Sequence, residues 1–194
     1  MWPSTTTGRP CASLPPPRIL AGGRERVRTL ITGGVKSGKS SHALVLAQDF
    51  PEPRRFLATA EAFDGEMAER ISRHKAERAE RFITIEEPLD IQDRLEENMI
   101  LDCVPLWLNN MFHYGREASI DTTIEKVIAW LPENIIIVTN EIGMGFIPAD
   151  PLSRRYGDTL GRINARLAAA CDRVILMVSG VAVVIKNSVR DNAP

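Results

Sequence analysis

Eight consecutive residues have the types and spacing of a phosphate-binding loop: Gly33-Gly34-Val35-Lys36-Ser37-Gly38-Lys39-Ser40. The pattern is Gly, four residues, then Gly-Lys-Ser. Its glycines let backbone N–H groups curl around phosphate oxygens, and a helix opening at Lys39 adds the positive end of its dipole. Lys39 is suited to reach the β- and γ-phosphates, and the Ser40 hydroxyl to ligate Mg²⁺. These residues predict nucleotide binding. A second acidic group is needed near such a metal. Asp102, directly after Met99-Ile100-Leu101, is the natural choice, and Glu141, after Val138-Thr139-Asn140, is its rival.

The second informative stretch is Arg70-Ile71-Ser72-Arg73-His74-Lys75-Ala76-Glu77-Arg78. On a helix, Arg70, His74 and Arg78 share one face. A helix of mixed Arg and Glu usually presents a solvated surface. An imidazole flanked by cations nevertheless fits two tasks. One is a phosphate clamp; the other is a nucleophile that attacks an α-phosphorus while the arginines neutralise phosphate oxygens. Neighbouring positive charge favours the neutral imidazole that an attacking nitrogen requires. His42 and His113 lack that setting.

The elements needed to position these groups are those of an α/β domain. Arg28–Thr32 reads as a buried first strand running into the loop, followed by a helix over Lys39–Gln48. Further strands are expected at Arg55–Ala58, Phe82–Ile85, Met99–Leu101, Ile135–Val138, Val174–Val178 and Val181–Ile185. The continuous apolar runs at 99–101 and 135–138 suit central strands covered on both faces. Helices are expected over Asp64–Arg81, Thr122–Leu131 and Leu152–Cys171. No internal repeat and no second core is visible. The expected architecture is α/β, a mostly parallel sheet flanked by helices, forming one nucleotide-binding domain over residues 28–194.

Composition narrows the function. Lys+Arg number 24 against 25 Asp+Glu, a formal charge of -1, which argues against a dedicated nucleic-acid binder. No apolar run approaches the ~18 residues of a membrane-spanning helix, so a soluble protein is expected. Three scattered cysteines, Cys11, Cys103 and Cys171, suggest a reducing cytoplasm rather than a disulfide framework. Residues 1–27 combine four arginines with one glutamate and five prolines. They cannot bury enough apolar surface to offset their ordering entropy and are expected to be a disordered or non-native extension. The sequence contains no Asn-Lys-x-Asp element, which weakens a Ras-type GTPase and leaves a small-molecule kinase or nucleotidyl-transfer enzyme as the better fit.

Several motifs in order carry a specific resemblance. They are the loop at 33–40, Arg70-Ile71-x-x-His74-Lys75-x-x-Arg78, Thr84-Ile85-Glu86-Glu87-Pro88-Leu89-Asp90, and Asp102-Cys103-x-x-Leu106-Trp107-x-x-Asn110. Val138-Thr139-Asn140-Glu141-Ile142-Gly143-Met144-Gly145, Arg154-Arg155-Tyr156-x-Asp158-x-x-Gly161-Arg162 and Val178-Ser179-Gly180 continue it. Over about 29–187 the chain resembles the bifunctional adenosylcobinamide kinase/adenosylcobinamide-phosphate guanylyltransferase family.

The resemblance implies a RecA-like, P-loop NTPase-like sheet and two reactions. ATP or GTP phosphorylates adenosylcobinamide; GMP from GTP is then transferred to adenosylcobinamide phosphate through a guanylylated histidine, in cobalamin biosynthesis. It places that histidine at His74. It places GTP contacts at Gly33, Gly34, Val35, Lys36, Ser37, Gly38, Lys39 and Ser40, and at Ala58, Thr59, Ala60, Lys75, Ala76, Glu77, Arg78, Glu86 and Asp102. It further implies a homotrimer; the cytoplasmic location rests on the cysteine usage above. The chain departs from the pattern in its longer N-terminal tail and in Val104-Pro105 where Leu-Thr is usual. Pro105 cannot donate a backbone hydrogen bond, so local structure after Asp102 is expected to differ. Another P-loop kinase for a small hydroxyl substrate, or a non-catalytic nucleotide-binding module, are the alternative readings.

Overall fold

Short apolar runs without alternation suit strands covered on both faces, and they occupy the middle of the sheet. In a computed structural model, the structure describes residues 26–188 except 79, 80 and 146, with only the backbone at Arg70, His74 and Glu77. In chain order the elements are β1 (Arg28–Gly33), α1 (Lys39–Leu46), β2 (Arg55–Ala58), α2 (Gly65–Arg78), β3 (Ile83–Glu86) and β4 (Met99–Asp102). They continue with α3 (Val104–His113), α4 (Ile120–Ala129), β5 (Ile135–Val138), α5 (Pro151–Ala170), β6 (Arg173–Val178) and β7 (Val181–Asn187). The expected N-terminal extension lies outside the described residues, apart from Arg26 and Val27. Arg26 pairs with Glu133 at 3.2 Å.

The seven-stranded sheet has the order β3-β2-β4-β5-β1-β6-β7, parallel throughout except that β7 runs antiparallel to β6. Alternate strand residues feed two separate cores, as a pleated strand requires. Leu30, Leu57, Leu101, Ile135 and Ile137 pack against α3, α4 and α5 through Trp107, Leu108, Ile124, Leu160 and Ile163. Ile31, Phe56, Ile100, Ile136 and Ile175 face the opposite side with Ala43, Ala47 and Phe50. Among the described residues, no helix is long and apolar enough to cross a membrane.

α3 is the element that the sequence reading omitted. Val104, Trp107, Leu108 and Met111 are buried at helical spacing, so the periodicity was there to be read. Pro105 lies in the first turn, where a missing N–H leaves no helical bond unmade. Val104-Pro105 therefore sits at a helix start.

Candidate active site

The expected loop joins β1 to α1 and is shaped by two glycines that cannot be replaced without conflict. Gly33 has φ +144°, and a Cβ there would sit 2.3 Å from the Met177 carbonyl oxygen on the neighbouring strand. Gly38 caps α1 in the left-handed region at φ 93°. Main-chain bonds brace the loop from other strand ends: Glu141 N–H donates to Gly33 O at 3.0 Å, and Gly180 N–H to Ser37 O at 3.1 Å. Lys39 is buried and donates through Nζ to Gly34 O at 2.6 Å. Burial holds its ammonium below the ordinary lysine range, against the raising effects of nearby Cys103 and Asp102.

Asp102, at the end of β4, is the carboxylate brought against the loop. Ser40 Oγ donates toward its two oxygens at 3.3 and 3.4 Å. Its rival Glu141 instead accepts from Gly143 N–H at 2.6 Å, within its own loop. The hydroxyl and carboxylate are hard oxygen donors of the kind Mg²⁺ takes. Among the described residues no cluster of three His, Cys, Asp or Glu could hold a metal unaided. The Ser37 hydroxyl is a buried loop oxygen with no hydrogen-bond partner, a polar group that a phosphate could satisfy.

The remaining expected contacts divide into two groups. Ala58 ends β2 level with Asp102 in the ladder, and Thr59 and Ala60 follow it, so they belong to the same rim of strand ends. Lys75, Ala76, Glu77 and Arg78 lie on α2, together with His74, whose side chain is outside the described residues. Lys75 Nζ meets Glu86 Oε1 at 2.7 Å, at the end of β3. Arg78, expected by resemblance to contact GTP, ends the helix. It is buried, its guanidinium lies 4.0 Å from the Phe56 ring centroid, and Nε points at Thr84 Oγ1 at 3.4 Å. Glu86, Ala58, Asp102, Val138 and Ile31 are successive register partners across the sheet. The attachments of α2, on β2 through Phe56 and on β3 through Glu86, therefore lie three and four strand spacings from β1, roughly 14–19 Å at ~4.8 Å each.

Residues 29–185 match the family described as cobinamide kinase / cobinamide phosphate guanyltransferase. The chain belongs to this family. It is 37% identical over 169 residues to the bifunctional adenosylcobalamin biosynthesis protein CobP of Pseudomonas aeruginosa, covering 82% of this chain and 98% of that protein. It is 36% identical over 179 residues to CobU, the protein of the same description from Escherichia coli K12, covering 81% and 98%. Among solved structures, the flagellar accessory protein FlaH of Methanocaldococcus jannaschii aligns at 16% identity with a TM-score of 0.44, over 86% of this chain and 81% of that one. That last likeness is too distant to bear on function.

The cobinamide kinase family motifs also hold residues that the sequence reading quoted without giving them a task. Asn110 and Tyr156 are two. Tyr156 OH donates to Pro105 O at 2.8 Å and fixes α5 against the start of α3. Burial pushes its phenol up to about 12, so it stays a donor. Asn110 is a polar residue 1% exposed on the buried face of α3, a signal that its position in the apolar spacing could have supplied.

Proposed function

We propose that this chain phosphorylates the hydroxyl of adenosylcobinamide with ATP or GTP and then transfers GMP from GTP to the product phosphate through His74. The observation that carries the reading is the Ser40–Asp102 contact at the mouth of a braced phosphate loop, in a chain of this family. Ser40 and Asp102 would hold Mg²⁺, which when bound neutralises charge on the phosphate oxygens. Main-chain N–H groups of the loop and Lys39 position the triphosphate. In the kinase step the substrate hydroxyl attacks the γ-phosphorus and the nucleoside diphosphate leaves. In the transfer step a His74 nitrogen attacks the α-phosphorus of GTP and the bond to pyrophosphate breaks. A phosphate oxygen of adenosylcobinamide phosphate then attacks the same phosphorus, the P–N bond breaks, and adenosylcobinamide-GDP is formed.

The second step carries a geometric condition. With α2 tied to β2 and β3, roughly 14–19 Å across the sheet from β1, guanylylation requires the His74 ring to reach the α-phosphorus of a triphosphate on its own chain or on another copy. Both are compatible with the homotrimer that the family resemblance implies. α2 is largely solvent-exposed, and Arg78 is its one buried side chain among those described.

Mass spectrometry after incubation with GTP and Mg²⁺ tests the reading. One GMP should be found on His74, and His74→Ala should lose the adduct while phosphorylating adenosylcobinamide within a few-fold of the parent rate. An adduct that persists in His74→Ala defeats the assignment. Phosphorylation with no adduct in the parent protein leaves a P-loop kinase only.

A further inference from the structure

Thr59 is expected by resemblance to touch GTP, yet its hydroxyl is fully buried and already engaged on both sides. Thr59 Oγ1 donates to Cys103 O at 2.8 Å and accepts from Cys103 N–H at 2.9 Å. Its own N–H donates to Asp102 O at 3.1 Å. The β2–β4 ladder ends at the pair Ala58 and Asp102. Beyond it the chain leaves the sheet to begin α3, and Cys103 loses its strand partner. One side-chain hydroxyl takes over both main-chain groups of that residue. A hydroxyl is suited to this because it has a donor and acceptor lone pairs on one atom.

Behind Thr59 stands Asn110. Its Nδ2 donates to Thr59 O at 2.8 Å and to Pro88 O at 3.0 Å. Both partners are carbonyl oxygens, so the NH₂ end is fixed toward them and both of its hydrogens are used. Asn110 therefore ties the ends of β2 and of the segment after β3 to α3, and Thr59 passes that constraint to the two peptides that flank Cys103, the first of which carries the Asp102 carbonyl.

We infer that Asn110 and Thr59 form a buried positioning relay that aims the Asp102 carboxylate at Ser40, so that Thr59 acts on Mg²⁺-dependent nucleotide binding through Asp102 rather than by touching nucleotide. The inference rests on the Ser40–Asp102 metal reading given under the proposed function. Groups that orient a ligating carboxylate typically change metal affinity or activity ~10–100-fold when removed.

The test measures binding of N-methylanthraniloyl-GTP by fluorescence, in Mg²⁺ and in EDTA, alongside thermal melting. Asp102→Asn should abolish most of the Mg²⁺-dependent gain in affinity. Thr59→Val, which keeps the shape and removes the hydroxyl, should reduce that gain about tenfold or more and leave affinity in EDTA within about twofold. Thr59→Ser should restore the gain, and Asn110→Leu should reduce it without altering affinity in EDTA. Equal losses in Mg²⁺ and EDTA for Thr59→Val would make Thr59 a nucleotide contact and overturn the relay. A lowered melting temperature with the Mg²⁺ gain intact would also overturn it, leaving a structural role alone. If Thr59→Val fails to fold, Asn110→Leu decides by the same criteria. An Asp102→Asn variant with an undiminished gain would remove the metal reading and the relay together, whereas loss in Asp102→Asn with none in Thr59→Val or Asn110→Leu removes the relay alone.

Discussion

The phosphate loop and α2 carry the two halves of the proposed chemistry, and they are held by different forces. The loop is fixed by main-chain bonds from Glu141 and Gly180 and by the close approach of Gly33 to Met177 O. Its neighbours are the two hydrophobic cores. α2 begins at an Asp64 side chain that accepts from Met67 N–H at 2.7 Å, and ends on the Lys75–Glu86 pair and the Arg78–Phe56 contact. Little apolar surface secures the helix between. Elements with few buried contacts open at lower free energy than core strands. The difference teaches that groups which only position a triphosphate can be rigid. Under the proposed function, the group that would serve successive steps lies on a helix with little buried side-chain surface.

The largest effect should come from the loop. Lys39→Ala is expected to lower both phosphorylation and GMP-adduct formation ~100–1,000-fold, as removal of a positioned charge donor does elsewhere. Measured loss of one step with the other intact would mean that the halves do not share the cradle.

Raising pH should act on the same lysine more gradually. The ammonium is held below its ordinary value of 10.5, so nucleotide affinity should begin to fall below that pH, approaching tenfold per unit. The sign for stability is opposite. Folded protein binds fewer protons at Lys39 than unfolded chain between the lowered value and 10.5, so this group's contribution rises with pH through that window. It is complete above 10.5 and lost as pH falls through the folded value. An alkaline limb unchanged in Lys39→Arg would assign the titration elsewhere.

Arg78 sharpens the contrast from the other side. Arg78→Met keeps cover over Phe56 and removes the charge, and should cost about 0.5–2 kcal/mol in chemical denaturation. GTP affinity should stay within about twofold; a large loss would support the nucleotide contact that the family resemblance implies. The smallest effect belongs to Lys75 and Glu86, which are both more than half exposed. Lys75→Ala should change stability by less than ~1 kcal/mol, and less again at high salt. A larger drop in GMP-adduct formation would show that Lys75 does more than tether α2.

Much of this was legible before any coordinates. The loop follows a strand and opens a helix because Gly33 and Gly38 answer local backbone demands and Ile31 and Ala43 answer local burial. Strands β2 and β5 fall at their expected residues for the same reason. α3 has plain apolar spacing, but a proline in sequence is compatible with either a broken helix or a helix start, and only its place in the first turn makes it the latter. The choice between Asp102 and Glu141 was not legible. Both follow apolar strands in sequence, and only the order β4-β5-β1 with its loop geometry turns one toward Ser40 and the other back on Gly143.

The chain's own residue order, then, determined the phosphate cradle, the period of each strand and the family. Those properties depend on neighbours a few positions apart or on motifs taken in sequence. Tertiary structure alone decided which carboxylate meets Ser40, that Thr59 faces a peptide instead of solvent, that Arg78 covers a ring, and how far α2 is attached from β1. Each of these depends on contacts between residues distant in sequence, where strand order and burial select the partner and residue type does not.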